Sequence, residues 1–117
     1  MSDAVSISTH VLDTAYGAPA AGVSVTLERV EASDRTIAIS QGVTDADGRV
    51  PVLAPVGASV TPGAYRLCFH VADYFAATQR TSFYNEICVN FMVGTEAQHY
   101  HVPLLLSPFG YSTYRGS

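Results

Sequence analysis

The stretch from His99 to Ser117 reads HYHVPLLLSPFGYSTYRGS, and its alternation decides the fold class. Apolar or aromatic residues occupy every second position from Tyr100 to Leu106, and this period of two is typical of a β-strand with one buried face. SPFG supplies a turn and YSTYRGS resumes the alternation, so the segment predicts a β-hairpin, with a register that a four-residue loop does not fix. Pro103 lacks an N–H, which predicts an edge strand or a break in the ladder.

The same period recurs along the rest of the chain. It is found in VSISTHVLDT (5–14), GVSVTLERV (22–30), TIAISQGV (36–43), GAYRLCFHVADYF (63–75) and EICVNFMV (86–93). Turn-forming segments rich in Gly, Pro and Asp separate these runs, and only ADYFAATQR (72–80) predicts a helix. The pattern predicts half-buried antiparallel strands, seven or eight in number, in an all-β sandwich that forms a single domain over residues 1–117.

Composition excludes several classes of function. The net charge of −4 argues against nucleic-acid binding, and all six basic residues are Arg, which removes lysine chemistry. With 48% hydrophobic and only 14% charged residues, the surface of so small a domain predicts an oligomer. The sequence contains no apolar run long enough to cross a membrane, and MSDAVSIST lacks the features of a secretory signal, so we expect a cytoplasmic protein with no membrane partner.

Cys68 and Cys88 could form one disulfide, but in the absence of a signal peptide we expect two reduced thiols.

Histidines and arginines supply the candidate chemistry. His99 and His101 point to the same side of a strand, as metal ligands or a general base with a helper would, although an interface or solvated pair has the same spacing. His10 lies alone on a face of small polar residues in the first strand. Arg49 follows the Asp-Gly turn of TDADGR, where it could simply pair with Asp45 or Asp47. From the residues alone, the sequence predicts a sandwich with a candidate histidine–arginine pocket.

Three segments carry a resemblance that goes further. STHVLDTAYGAPAAGVSVTLERV (8–30), TDADGR (44–49) and the C-terminal HYHVPLLLSPFGYSTYRGS together resemble the 5-hydroxyisourate hydrolases, the transthyretin-related enzymes of purine catabolism. The terminal YRGS is the specific part, because transthyretin, the thyroid-hormone carrier, shares the fold but lacks the Arg-Gly-Ser terminus and the H-x-H pair. FYNEI (83–87) departs from the usual FFPEV of these relatives, which predicts altered turn geometry with the chemistry intact.

The resemblance implies a transthyretin-like β-sandwich of two four-stranded sheets with one short helix. It also implies a homotetramer, a dimer of dimers, with active sites where the dimers face each other across a central channel. Residue by residue, the implied catalytic set is His10, Arg49, His101 and Ser117, and the implied substrate-binding set is His99, Tyr114, Arg115 and Gly116.

The implied reaction is the hydrolysis of 5-hydroxyisourate to 2-oxo-4-hydroxy-4-carboxy-5-ureidoimidazoline, without a metal or other cofactor. His10 and His101 would be the general base and its partner, in roles that the sequence does not assign. Arg49 would hold the ring carbonyls or the developing negative charge. Ser117 offers a hydroxyl and the α-carboxylate to orient a histidine or the water. Arg115 would anchor the terminus through an ion pair, although it could also be an ordinary exposed charge.

Three alternatives stay open at this point. His10, His99 and His101 could ligate a zinc ion, and activity would then be lost on chelation. The protein could instead be a carrier that binds an aromatic ligand in the central channel, although a carrier channel is expected to be more apolar. A sandwich used only for adhesion or assembly would leave the grouping of histidines and arginines unexplained.

Overall fold

In the computed structural model, which describes residues 5–32, 35–54, 60–96 and 98–117, the chain forms two β-sheets around one core. The elements in chain order are β1 (Ser6–Asp13), β2 (Ala18–Pro19), β3 (Ser24–Val30), β4 (Thr36–Val43), β5 (Arg49–Ala54), β6 (Gly63–His70), α1 (Val71–Ala77), β7 (Ile87–Val93), β8 (His99–Ser107) and β9 (Gly110–Thr113). The predicted sandwich with one short helix is confirmed; the two-residue β2 gives one sheet a fifth strand.

The first sheet has the order β2-β1-β8-β9, and β5 also pairs with β1. β1 and β8 run parallel from Ser6↔His99 to Asp13↔Leu106, so the expectation of purely antiparallel strands is wrong for this pair. A period of two reports which face of a strand is buried and contains no information about strand direction. The predicted hairpin is confirmed, with β8 and β9 antiparallel around Ser107↔Gly110.

Pro103 does not lie on an edge strand, because β8 is flanked by β1 and β9. Instead, the pairing of β8 with the C-terminal segment is interrupted beside Pro103. Pairing runs to Leu104↔Thr113 and resumes only at the isolated bridge His101↔Gly116. The Thr113 hydroxyl donates to the Pro103 carbonyl at 2.7 Å within this gap. The predicted break in the ladder is therefore confirmed.

The second sheet has the order β4-β3-β6-β7 and is antiparallel throughout. The run predicted as a strand over 63–75 ends at His70, because Val71, Tyr74 and Phe75 follow helical spacing and turn toward the core. The helix predicted over 72–80 ends at Ala77. Gln79 adopts a left-handed φ of 59°, and Arg80 N–H donates to the Phe75 carbonyl in a Schellman arrangement. No helix in these described ranges is long and apolar enough to cross a membrane.

A buried carboxylate ties the helix to the first sheet. Asp13 has no exposed surface, and it accepts hydrogen bonds from the Tyr74 hydroxyl at 2.7 Å and from Arg80 Nη2 at 2.5 Å. Burial alone would favour the protonated acid, but the bonds from Arg80, Tyr74 and the Tyr16 N–H hold the pKa of Asp13 below its usual value. The Arg80 guanidinium also lies 3.8 Å from the centre of the Tyr16 ring.

Candidate active site

A chain of hydrogen bonds runs across the outer face of the first sheet, because the parallel register sets serines of β1 beside histidines of β8. Ser6 Oγ is 2.6 Å from His99 Nδ1. Ser8 Oγ lies between the two histidines, 2.8 Å from His99 Nε2 and 2.7 Å from His101 Nδ1. The imidazole rings are nearly parallel, with 6.3 Å between their centres. This Ser6–His99–Ser8–His101 relay holds both rings in place.

The relay also constrains the tautomers. If His101 is a neutral base with its lone pair on Nε2, Nδ1 carries the hydrogen and donates it to Ser8 Oγ. The Ser8 hydroxyl then donates to His99 Nε2, and the His99 Nδ1–H donates to Ser6 Oγ. Each of the three hydrogen bonds in the relay then has one donor and one acceptor under this single assignment. The relay is therefore compatible with a base at His101 Nε2 and a route by which charge spreads to His99.

Arg49 reaches the same region from the neighbouring strand. The Asp45 carboxylate accepts the backbone N–H groups of Asp47 at 2.9 Å and Arg49 at 3.0 Å, so it caps the turn. Gly48 is required in this turn, because its φ is +75° and a Cβ there would lie 2.4 Å from the Val11 carbonyl oxygen. Among the described residues Arg49 forms no ion pair, so the alternative of pairing with Asp45 or Asp47 is not realised.

The C-terminal residues fold back onto His101. Gly116 N–H donates to the His101 carbonyl at 2.8 Å. The close approach allows no side chain, because a Cβ on Gly116 would lie 2.4 Å from Cδ2 of the His101 ring. Gly116 thus acts as a spacer that places Ser117 beside the imidazole.

These elements surround an open cleft of about 300 Å³, lined by Ser8, Thr9, Arg49, Pro51, His99, His101 and Ser117. The structure therefore brings together four of the predicted site residues: Arg49, His99, His101 and Ser117. His10 does not line the cleft itself. It lies in register between Arg49 on β5 and Pro103 on β8, next to the cleft wall.

Tyr114 and Arg115 do not line the cleft, although His101 lines both the cleft and the neighbouring cavity. They line a second, more apolar cavity of about 320 Å³ between β7 and the C-terminal segment, together with Phe91 and Met92. Arg115 Nη2 donates to Gln98 Oε1 at 2.9 Å, and its guanidinium lies 4.8 Å from the centre of the Tyr100 ring. The expected ion pair with the terminus is wrong, because no salt bridge in the described part of the chain includes Arg115.

The cleft favours a neutral imidazole at His101. Burial is the largest cause that lowers its pKa, and electrostatic interactions with the neighbouring His99, Arg49 and His10 lower it further. A lowered pKa keeps Nε2 unprotonated at neutral pH, as a general base requires.

Three of the residues that line the cleft were not predicted from the sequence. Ser8 alternates with His10 on β1 and was visible only as part of a small polar face. No sequence pattern marked Thr9 or Pro51 as a site residue. The segment that forms β5 was not predicted to be a strand, because Pro51 interrupts its apolar alternation. Within the described ranges, the three histidines of the zinc hypothesis do not bring three donor nitrogens all within 4.8 Å of one another.

The chain is similar to known proteins in both sequence and structure. The sequence profile of the HIUase/transthyretin family matches residues 7–116. The chain is 47% identical over 120 residues to the 5-hydroxyisourate hydrolase of Deinococcus radiodurans, and the match covers the whole of both chains. The 5-hydroxyisourate hydrolase structure from Klebsiella pneumoniae has a TM-score of 0.81 at 37% identity, covering 96% of this chain and 99% of that one. Sea bream transthyretin in complex with thyroxine has a TM-score of 0.86 at 32% identity, covering 94% and 93%.

Proposed function

We propose that this chain, which belongs to the HIUase/transthyretin family, hydrolyses 5-hydroxyisourate. The observation that carries the proposal is the cleft in which Arg49, His101 and Ser117 meet from three separate segments of the chain. Fold alone does not separate an enzyme from a carrier, since one compared hydrolase and one compared transthyretin both superpose closely. The chemistry of the cleft separates an enzyme from a carrier, because it offers a base, a fixed cation and hydroxyl groups around a space of small-molecule size.

In the proposed mechanism His101 Nε2 removes a proton from water as the water oxygen attacks the amide-like carbonyl carbon of the substrate ring. The positive charge formed on His101 is shared through Ser8 with His99, whose ring is linked to the same hydroxyl. The C–N bond of the tetrahedral intermediate then breaks, and the proton held by His101 passes to the leaving nitrogen. His101 returns to its neutral form, and the proposed cycle is complete without a metal.

Arg49 holds the developing negative charge. Its guanidinium is a permanent cation with a planar set of donors, which suits the carbonyl edge of a flat heterocycle and the oxyanion that forms from it. Ser117 orients the attacking water through its hydroxyl or α-carboxylate. His10 acts as the partner histidine, beside Arg49 in the sheet, and His99, Tyr114, Arg115 and Gly116 contribute to substrate binding directly or by placing these groups.

The functional unit is a homotetramer, a dimer of dimers, located in the cytoplasm. The cleft is open on one side, and large apolar side chains remain exposed in the single chain, among them Phe109 at 70% and Tyr114 at 57%. A second dimer facing this sheet would cover the open side and form a central channel. Sedimentation equilibrium tests the assembly, and a monomeric but active protein would contradict it.

The carrier is the second candidate function, favoured by the likeness to sea bream transthyretin. A carrier would bind an aromatic ligand and release it unchanged. The histidines and arginine of the cleft argue against this reading, because an apolar ligand gains nothing from a charged lining.

The test follows the absorbance of 5-hydroxyisourate generated in place from urate by urate oxidase. We expect decay well above the spontaneous rate, its loss in His101→Ala and after deletion of residues 114–117, and no effect of chelator. His70→Asn is the matched control, because His70 lies on the second sheet, bonded to Thr26 and Glu86. Native protein that does not accelerate decay would refute the hydrolase and favour the carrier, and loss of activity on chelation would favour the zinc site.

A further inference from the structure

The outer face of the second sheet carries two thiols that the proposed hydrolase does not use. Cys68 on β6 and Cys88 on β7 are direct cross-strand partners, and their Sγ atoms are 2.9 Å apart. Both belong to the sheet face that points away from the apolar core, whose members on β6 are Tyr65, Leu67 and Phe69. Cys68 is buried under its neighbours, whereas Cys88 is half-buried and reachable.

Carboxylates surround this thiol pair. Cys88 Sγ is 3.6 Å from Glu86 Oε1, and Cys68 Sγ is 3.7 Å from Glu28 Oε1 on the adjacent strand β3. Glu86 is itself oriented, because its other carboxylate oxygen lies 3.1 Å from Nδ1 of His70. A ligand carboxylate held by a histidine resembles the outer-shell support found around protein metal sites.

Three of these groups converge more closely than any others in the described part of the chain. The donor atoms of Cys68, Glu86 and Cys88 all lie within 4.8 Å of one another, and no other group of three metal-ligating side chains there does so. We propose that this cluster is a binding site for a thiophilic divalent cation of the Zn²⁺ or Cd²⁺ type. Cys68, Cys88 and Glu86 are its ligands, and Glu28 lies close enough to act as a fourth ligand.

The ligand chemistry supports a soft divalent ion. Thiolates select Zn²⁺ and its heavier analogues over Mg²⁺ and Ca²⁺, which prefer all-oxygen sites. Binding replaces the two thiol protons, so one M²⁺ enters and two H⁺ leave. A tetrahedral ion with sulfur ligands at about 2.3 Å requires the sulfurs to separate to about 3.8 Å, which a rotation of the half-buried Cys88 side chain provides.

The same surroundings disfavour a disulfide as the resting state. Burial raises the pKa of the Cys68 thiol far above its usual value, and the adjacent Cys88, Glu28 and Glu86 raise it further. Oxidation to a disulfide proceeds through a thiolate and needs an external oxidant, so a high pKa slows it. A divalent cation, in contrast, supplies the positive charge that two thiolates and two carboxylates lack.

The experiment titrates Cd²⁺ into reduced, metal-free protein and follows the sulfur-to-cadmium charge-transfer band in the ultraviolet. We expect saturation at one equivalent and loss of the band in Cys88→Ser. We expect affinity about tenfold or more weaker in Glu86→Gln. Glu31→Gln is the matched control, since Glu31 lies near the same sheet but pairs with Arg29. His101→Ala should keep the band, which separates this site from any metal bound by the cleft histidines.

Proton release supplies a second readout. The charged and titratable groups that face the thiols are Glu28 on β3, Arg66 and His70 on β6, and Glu86 before β7. Each bound ion displaces two thiol protons, so affinity should rise with pH, by up to about a hundredfold per pH unit.

Three outcomes would overturn the proposal: no charge-transfer band, a band of unchanged affinity in Cys88→Ser, or a Cys68–Cys88 disulfide in freshly purified protein by thiol counting and mass. Circular dichroism verifies that each variant is folded. None of these results depends on hydrolysis of 5-hydroxyisourate, so failure of the site and failure of the proposed function are distinguishable.

Discussion

Alanine in place of Gly116 should inactivate the cleft by moving His101. A methyl group at this position would lie 2.4 Å from Cδ2 of His101, 3.1 Å from its Cγ and 3.2 Å from Cγ of Pro103. Ordinary carbon–carbon contacts begin near 3.4 Å, so the imidazole and the terminal segment must separate by about 1 Å. The ring cannot move that far without stretching its 2.7 Å hydrogen bond to Ser8.

The magnitude follows from the displacement. A misplacement of about 1 Å at a reacting group costs on the order of a hundredfold in rate, equivalent to about 2.7 kcal/mol of activation free energy. Stability should change little, because Gly116 is not among the glycines with positive φ and alanine therefore introduces no backbone strain. We expect a loss of about a hundredfold in kcat/KM with the melting temperature nearly unchanged.

The assay is the decay of freshly generated 5-hydroxyisourate, with Gly110→Ala as the matched control. A Cβ on Gly110 meets only Ser107 Oγ at 3.7 Å, which is an ordinary contact in the same hairpin. Activity of folded Gly116→Ala within about threefold of the native value would refute the reasoning, since the position of His101 would then not depend on the terminal segment.

Four further predictions rest on the contacts of the cleft and on the Asp13–Arg80 pair. Ser8→Ala removes the hydroxyl between His99 and His101 and should lower kcat by about tenfold to a hundredfold with KM little changed. Ser6→Ala, at the outer end of the relay, should lower kcat less, and steady-state kinetics distinguishes the two variants. Because burial and nearby positive charge lower the pKa of His101, activity should persist as pH falls below the ordinary imidazole value of about 6.5 and be lost only as His101 becomes protonated; replacing His99 by Asn should move this acid limb of kcat/KM upward. Arg80→Met leaves the Asp13 carboxylate buried without its cation and should cost about 3 kcal/mol in denaturant unfolding. Arg29→Met removes a half-exposed pair with Glu31 and a hydrogen bond to the Tyr65 hydroxyl, and it should cost less, about 1–2 kcal/mol. Because the folded pKa of Asp13 lies below its unfolded value of about 3.9, the native protein should hold this stabilisation above that pH and lose it as pH falls through the folded pKa, and Arg80→Met should lose less on acidification.

The alternation of apolar residues was sufficient to predict the sandwich, because burial of one strand face is a local property. His99 and His101 share a face in the sequence and in the structure for that reason. The parallel pairing of β1 with β8 was beyond the sequence, since it depends on packing between segments more than ninety residues apart.

The main residues of the cleft could be predicted from the sequence, but the contacts that hold them in position could not. The family resemblance placed Arg49, His101 and Ser117 together, and the structure adds the contacts that position them. Ser8 was overlooked because a serine on a polar strand face carries no signal until its cross-strand neighbour is known. Tyr114 and Arg115 follow the same motif as Gly116, yet the gap in the ladder beside Pro103 turns them toward the apolar cavity.

The parallel β1–β8 pair has a consequence for synthesis on the ribosome. Ser6 and His99 are 93 residues apart, so nearly the whole chain must be synthesised before β8, the parallel partner of β1, is present. High contact order of this kind slows folding. Until β8 emerges, β1 presents an unpaired edge above the apolar side chains of Ile7 and Val11, which is a template for association with other chains. Nascent or prematurely terminated chains are therefore expected to depend on chaperones or be degraded, and a fragment that ends before β8 is not expected to acquire the activity.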